Sequence, residues 1–248
     1  MAFEVVAVIV AAPFIGSFLG VVIERLPAGR PILLDRSRCD QCGATLGLRD
    51  LVPIVSWCVQ RGRCAHCGAR LPRFYPLIEL AALAVAIWSA AVVSGWLLLV
   101  SCGLGWILLT LAAIDWRHFL LPDLLTLPLV PAGLAVAYGI DPGLVAGHAA
   151  AALAGFAVFA AIGVGYRRLR QREGMGLGDA KLLAAAGAWL GWQALPGLVA
   201  VAALAALAVA LASAARGAKL GATTRIAFGS YLALAFWLVW LYGPPVMA

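Results

Sequence analysis

Of the 248 residues, 64% are apolar and only 12% are charged, whereas a soluble domain carries roughly a quarter charged residues. The 18 Lys and Arg and 11 Asp and Glu are too few to clothe a water-soluble globule of this length, which points to the bilayer as solvent. The net charge of +7 is confined to short stretches between long apolar runs, so it reads as a topology signal and no nucleic-acid partner is needed to explain it.

Apolar runs lie near residues 3–23, 76–94, 96–114, 124–140, 147–166, 179–193, 196–215 and 226–242, each approaching the ~20 residues that cross a bilayer as a helix. The expected fold is an all-α polytopic membrane protein, with about eight transmembrane helices and a small cytoplasmic metal-binding loop carrying four cysteines. The run at 179–193 is the shortest. No Lys or Arg precedes Arg25, so the first run lacks the basic region of a cleaved signal and is expected to stay as a helix. Threading the chain through eight spans puts all 18 Lys and Arg on one side. By the positive-inside bias that side is the cytoplasm, and both termini face outward. The Ala-rich stretch at 199–215 reads as a close-packing membrane helix.

The one sizeable polar segment, from Arg25 to about Pro72, is too short to fold by burial alone and calls for a cross-link. It holds Cys39-x-x-Cys42 and Cys64-x-x-Cys67, each followed at once by glycine, Gly43 and Gly68. Two intervening residues let both thiolates reach one ion, and the glycine lets the backbone turn and aim amides at the sulfurs, as in a tetrahedral zinc knuckle. Two disulfides are the competing reading, which a cytoplasmic loop disfavours; iron is open beside zinc. Four protein ligands leave no position for substrate, so the ion would be structural. Cys58 is expected as a packed loop thiol and Cys102 as a small apolar residue inside a span.

Carboxylates beside hydrocarbon carry more information, because an ionised group there is costly. Glu4 and Asp141 at outer edges, Asp35, Asp40 and Asp50 in the polar loop, and Glu173 among arginines read as solvated. Glu79 reads as a charge favouring a helix N-terminus, Glu24 as interfacial and Asp123 as a cap. Asp115 ends the third run and Asp179 begins the sixth, both at the basic side. Two acids at one depth can share acid and base roles in amide hydrolysis, with neither metal nor nucleophile. Gly176 and Gly178 leave room for an extended peptide beside Asp179, although a helix cap explains Asp179 alone equally well. Lys181 either snorkels or counters a carboxylate. An ion-coupled transporter is the main alternative, but it would place its acids near mid-span.

Taken together, Gly16-Ser17-Phe18-Leu19 leading to Arg25-Leu26-Pro27, the two cysteine pairs, Pro53-Ile54-Val55-Ser56-Trp57, Arg61-Gly62-Arg63-Cys64, Tyr75-Pro76-Leu77-Ile78-Glu79, Asp115 with Pro122-Asp123, and Gly176-x-Gly178-Asp179-x-Lys181 resemble the type IV prepilin leader peptidases. These are bacterial inner-membrane aspartic peptidases of the GxGD class. The resemblance implies that Asp115 and Asp179 cut a basic leader from prepilins or type II secretion pseudopilins at the cytoplasmic face. Gly176, Gly178 and Lys181 would then lie along the substrate. It also implies methylation of the new N-terminus with S-adenosylmethionine, an activity associated with the cysteine loop; a peptidase without methyl transfer is the variant reading. The implied layout is a first transmembrane helix at 1–24, the four-cysteine loop at 25–75 and a transmembrane aspartic peptidase domain at 76–248, with prepilin helices and membrane lipid as partners.

Overall fold

The computed structural model of the protein describes all residues except 1, 34–36, 40, 171–175, 218–220, 222–224 and 244–248, together with the side chains of Ala2, Leu48 and Arg170. Asp35, Asp40 and Glu173, expected to be solvated, therefore lie outside the described residues. Two compact units divide the chain at Thr110 and Leu111.

In the first unit, α1 (Ala2–Arg25) forms because no charge interrupts the chain between Glu4 and Glu24. It packs along α3 (Phe74–Val92). The opening part of α4 (Trp96–His118) joins them, and Val8, Ala12, Ala86, Leu98 and Cys102 form a shared core. Trp106 fixes this packing by donating its indole N–H to the Ala82 carbonyl at 3.0 Å. Between α1 and α3 the chain makes a 3-10 turn at Leu48–Leu51 and the single short helix α2 (Val55–Val59). Cys102 is buried as expected, but Cys58 is exposed, not packed. The reason is that α2 is one turn long and buries no residue. Glu79 also departs from expectation. It lies beyond the first turn of α3 and is 6% exposed, so it works as a buried anchor and not as a helix-terminal charge.

The second unit continues α4 from Leu111 and adds α5 (Asp123–Ile140), α6 (Leu144–Arg170), α7 (Leu177–Leu190), α8 (Leu195–Ala215) and α9 (Phe228–Tyr242). At its middle is α7, packed by α5, α6 and α9. Its 14 residues rise ~21 Å, short of the ~30 Å hydrocarbon core. Nine of them are buried, mostly alanine, so the helix is surrounded by protein and needs no lipid-length face. Trp189 pins its end, giving its indole N–H to the Leu129 carbonyl at 2.7 Å and meeting Phe236 and Trp240 edge to face. On α8, Leu198, Ala202 and Ala206 are buried, while Leu204, Leu207 and Leu211 point outward. Past Leu198, small residues inside and large ones outside is the arrangement of a helix packed in lipid.

Eight helices longer than α2 among the described residues thus answer the eight predicted runs. Six are long and apolar enough to cross a membrane, and α9 is a shorter apolar helix. The described residues contain no strand, and the chain is an all-helical integral membrane protein.

Candidate active site

Asp115 lies in the last turn of α4, 6% exposed. The Phe119 amide closes that turn on the Asp115 carbonyl at 2.8 Å, and Phe119 itself has φ of 53°. A left-handed residue there ends the helix abruptly and sends the chain through Leu121, which is buried, to Pro122 and the start of α5. Asp179 is the third residue of α7, and its amide bonds to the Gly176 carbonyl at 3.2 Å.

A third element meets these two. Gly229 and Ser230 open α9, and a Cβ placed on Gly229 would lie 3.0 Å from Asp115 Oδ2, 3.0 Å from Asp179 Oδ1 and 2.8 Å from Leu121 Cδ1. The two carboxylate oxygens are therefore within about 6 Å of each other across Gly229. A side chain at that position would displace a carboxylate or Leu121, so glycine lets α9 come this close to both acids. Next to it, Ser230 gives Asp115 Oδ2 two donors, its amide at 2.7 Å and its hydroxyl at 3.1 Å. The same hydroxyl lies 2.9 Å from the Ala112 carbonyl. Trp116 and Tyr231 stand edge to face beside the pair, ring centres 6.3 Å apart.

Sequence reasoning missed Gly229 and Ser230. The sequence offers only a pair of small residues near the start of an apolar run just after a basic stretch, with nothing to say which carboxylate they meet. Of the other expected residues, Gly178 packs against Leu121, where a Cβ would come within 2.9 Å of the Leu121 Cβ. Gly176 is the exposed residue just ahead of α7. Lys181 Nζ sits 2.6 Å from Asp123 Oδ1, linking α7 to the start of α5. Asp123 is the first residue of α5, and Pro122 occupies the cap position.

In the first unit, the thiols of Cys39, Cys42, Cys64 and Cys67 lie within 4.8 Å of one another, and Cys39 and Cys67 are 3.9 Å apart, sulfur to sulfur. Tetrahedral thiolates at the Zn–S length require an edge of about 3.8 Å, so the donor set fits a metal ion. All four are free cysteines. Two matching knuckles build the site. The Cys39 amide bonds to the Ala44 carbonyl at 2.9 Å and the Gly43 amide to the Cys39 carbonyl at 2.8 Å. The Cys64 amide repeats this on Ala69 at 2.8 Å and the Gly68 amide on Cys64 at 2.9 Å. Gly43 and Gly68 take φ of 69° and 71°, the left-handed turn that the glycines were expected to supply. The amides of Cys42 and Gln41 hold the Cys39 thiol down at about 7. At Cys67 the Ala69 amide pulls the same way, but burial and the three neighbouring sulfurs outweigh it and push that thiol up to about 11. Such crowding of sulfurs is relieved by a cation, which deprotonates all of them.

A family model described as the bacterial peptidase A24 N-terminal domain matches residues 10–93, and one described as the type IV leader peptidase family matches residues 102–211. A protein of Aeromonas hydrophila named prepilin leader peptidase/N-methyltransferase is 37% identical to this chain, covering 94% of it and 88% of the relative. Proteins of the same name from Burkholderia pseudomallei and Stutzerimonas stutzeri are 38% and 33% identical, over 96% and 98% of this chain and 85% and 92% of theirs. No solved structure matches the chain.

Proposed function

The chain belongs to the type IV leader peptidase family, and from that premise we propose that it cleaves the basic leader from prepilins or pseudopilins, using Asp115 and Asp179, and methylates the new N-terminus. The observation that carries the peptidase reading is the meeting of the two carboxylates across Gly229. Two acids brought to one place can divide the work of amide hydrolysis, one ionised as base and the other protonated as acid.

Roles follow from the hydrogen bonds. Asp115 Oδ2 accepts two donors from Ser230, which suits the carboxylate that takes a proton from the attacking water. Asp179, in its protonated form, donates to the scissile carbonyl oxygen and stabilises the charge that develops there. The tetrahedral intermediate collapses as Asp115 returns its proton to the leaving amine. The Ser230 hydroxyl serves both states of Asp115. It donates to the ionised carboxylate, and when Asp115 holds the proton the hydroxyl donates to the Ala112 carbonyl and accepts from the acid.

The four cysteines would hold a structural zinc ion, tying together a loop with little core of its own. On the charge rule the loop and the active site face the cytoplasm of the inner membrane, the side on which a basic leader stays. S-adenosylmethionine, when bound, supplies a methyl group on a sulfonium. Purified protein in detergent, incubated with a prepilin, should release the leader as measured by mass spectrometry. An intact prepilin after prolonged incubation would refute the peptidase reading.

A further inference from the structure

A cavity in the first unit lies where the ends of α1 and α3 meet the cysteine loop, and its walls include Glu24, Arg25, Arg38, Trp57, Tyr75 and Glu79. Its volume is about 190 Å³, below the ~300 Å³ of sites that enclose a whole small molecule, so it suits the reacting end of a ligand whose remainder lies outside. Three features of the surroundings are costly for the fold. The Trp57 indole nitrogen is buried and has no hydrogen-bond partner. Glu79 is 6% exposed, a carboxylate taken out of water. Ile54, a β-branched residue, adopts φ of 62° and donates its amide to Glu79 Oε2 at 2.7 Å; β-branched side chains strongly disfavour this region. A residue with an orphaned donor and a buried acid stand on the wall of one cavity, the acid held by a strained residue behind it, which is the signature of a site kept for a ligand.

Resting on the methyl-transfer reading, we propose that this cavity is where the methyl donor and the newly exposed N-terminus meet, with Trp57 and Tyr75 against the sulfonium and Glu79 as the proton acceptor. The chemistry of the walls matches both reactants. Aromatic faces attract a sulfonium as they do other soft cations, the arginines suit the donor's carboxylate, and the buried acid suits the N-terminal amine. In the transfer, the amine lone pair forms the N–C bond as the C–S bond breaks. The thioether leaves with the bonding electrons, and Glu79 takes one proton from the nitrogen. Nothing is oxidised or reduced.

The test measures equilibrium binding of tritiated S-adenosylmethionine to the purified full-length protein, to Trp57→Phe and to Glu79→Gln, and maps where ultraviolet irradiation attaches the label to the wild type. The expected results are about tenfold weaker binding in Trp57→Phe, loss of methyl transfer in Glu79→Gln, and label on peptides carrying Trp57 or Tyr75. If the wild type binds the donor and methylates a cleaved pilin while the label falls elsewhere and both variants behave like it, the cavity is not the site and methyl transfer stands. A wild type that neither binds the donor nor transfers methyl removes the methyl-transfer reading, and this assignment with it.

Discussion

Ser230 places a hydroxyl and an amide on a single oxygen of Asp115. A hydrogen bond to a charged group contributes about 1.5–3 kcal/mol, so Ser230→Ala should lower kcat for leader cleavage by roughly ten- to a hundredfold. KM should be nearly unchanged, because the hydroxyl touches the acid and not the substrate; a steady-state titration with a purified prepilin checks this. Gly229→Ala tests the neighbouring position. Its methyl would sit 3.0 Å from an oxygen of each aspartate, so cleavage should fall while the protein stays folded, as followed by thermal unfolding. That the two acids share one depth was legible in the sequence, since each stands at the border of an apolar run where a charge is costly, and the structure brings them together at Gly229. Their partner was not. Ser230 is 115 residues from Asp115 along the chain, and a serine at the start of an apolar run carries no mark that says which carboxylate it will meet.

The cysteine loop shows the same division among elements. Its Cys-x-x-Cys-Gly repeats predicted two knuckles and one cluster, because spacing and a left-handed glycine determine local geometry almost by themselves. The bond from Ile54 to Glu79 was hidden, since it depends on how the loop settles against α3 and not on any local pattern. Cys39→Ser or Cys64→Ser removes one of four thiolates from the cluster. Each variant should lose the bound metal, read by elemental analysis against the wild type, and should expose the loop between α1 and α3 to limited proteolysis. The α7 segment was the other hard case. Its apolar run reads as a short span at 179–193, yet the helix runs Leu177–Leu190 and is encased by its neighbours. Hydropathy alone does not distinguish lipid from protein as the apolar surroundings of a helix.

For the whole molecule, composition alone excluded a water-soluble globule, and the positions of the helices followed from hydropathy to within a few residues. On the proposed orientation, Asp115 and Asp179 act at the cytoplasmic edge of the bilayer, so only a peptide bond at that level reaches them. Inserting four apolar residues ahead of the cleavage site in a prepilin moves it about one helical turn deeper, and processing should drop sharply in a membrane-reconstituted assay. Cleavage of the displaced site at the original rate would mean that depth does not select the bond. The chemistry itself is tested most directly by mass spectrometry of a prepilin incubated with purified wild type, Asp115→Asn and Asp179→Asn in parallel. Each substitution removes one half of the acid and base pair, and loss of such a group lowers rates by about 10²- to 10⁴-fold. The expected result is a released leader with the wild type and an intact prepilin with either variant, both variants remaining folded in detergent. Leader release by either one at a rate near that of the wild type would contradict the two-aspartate mechanism.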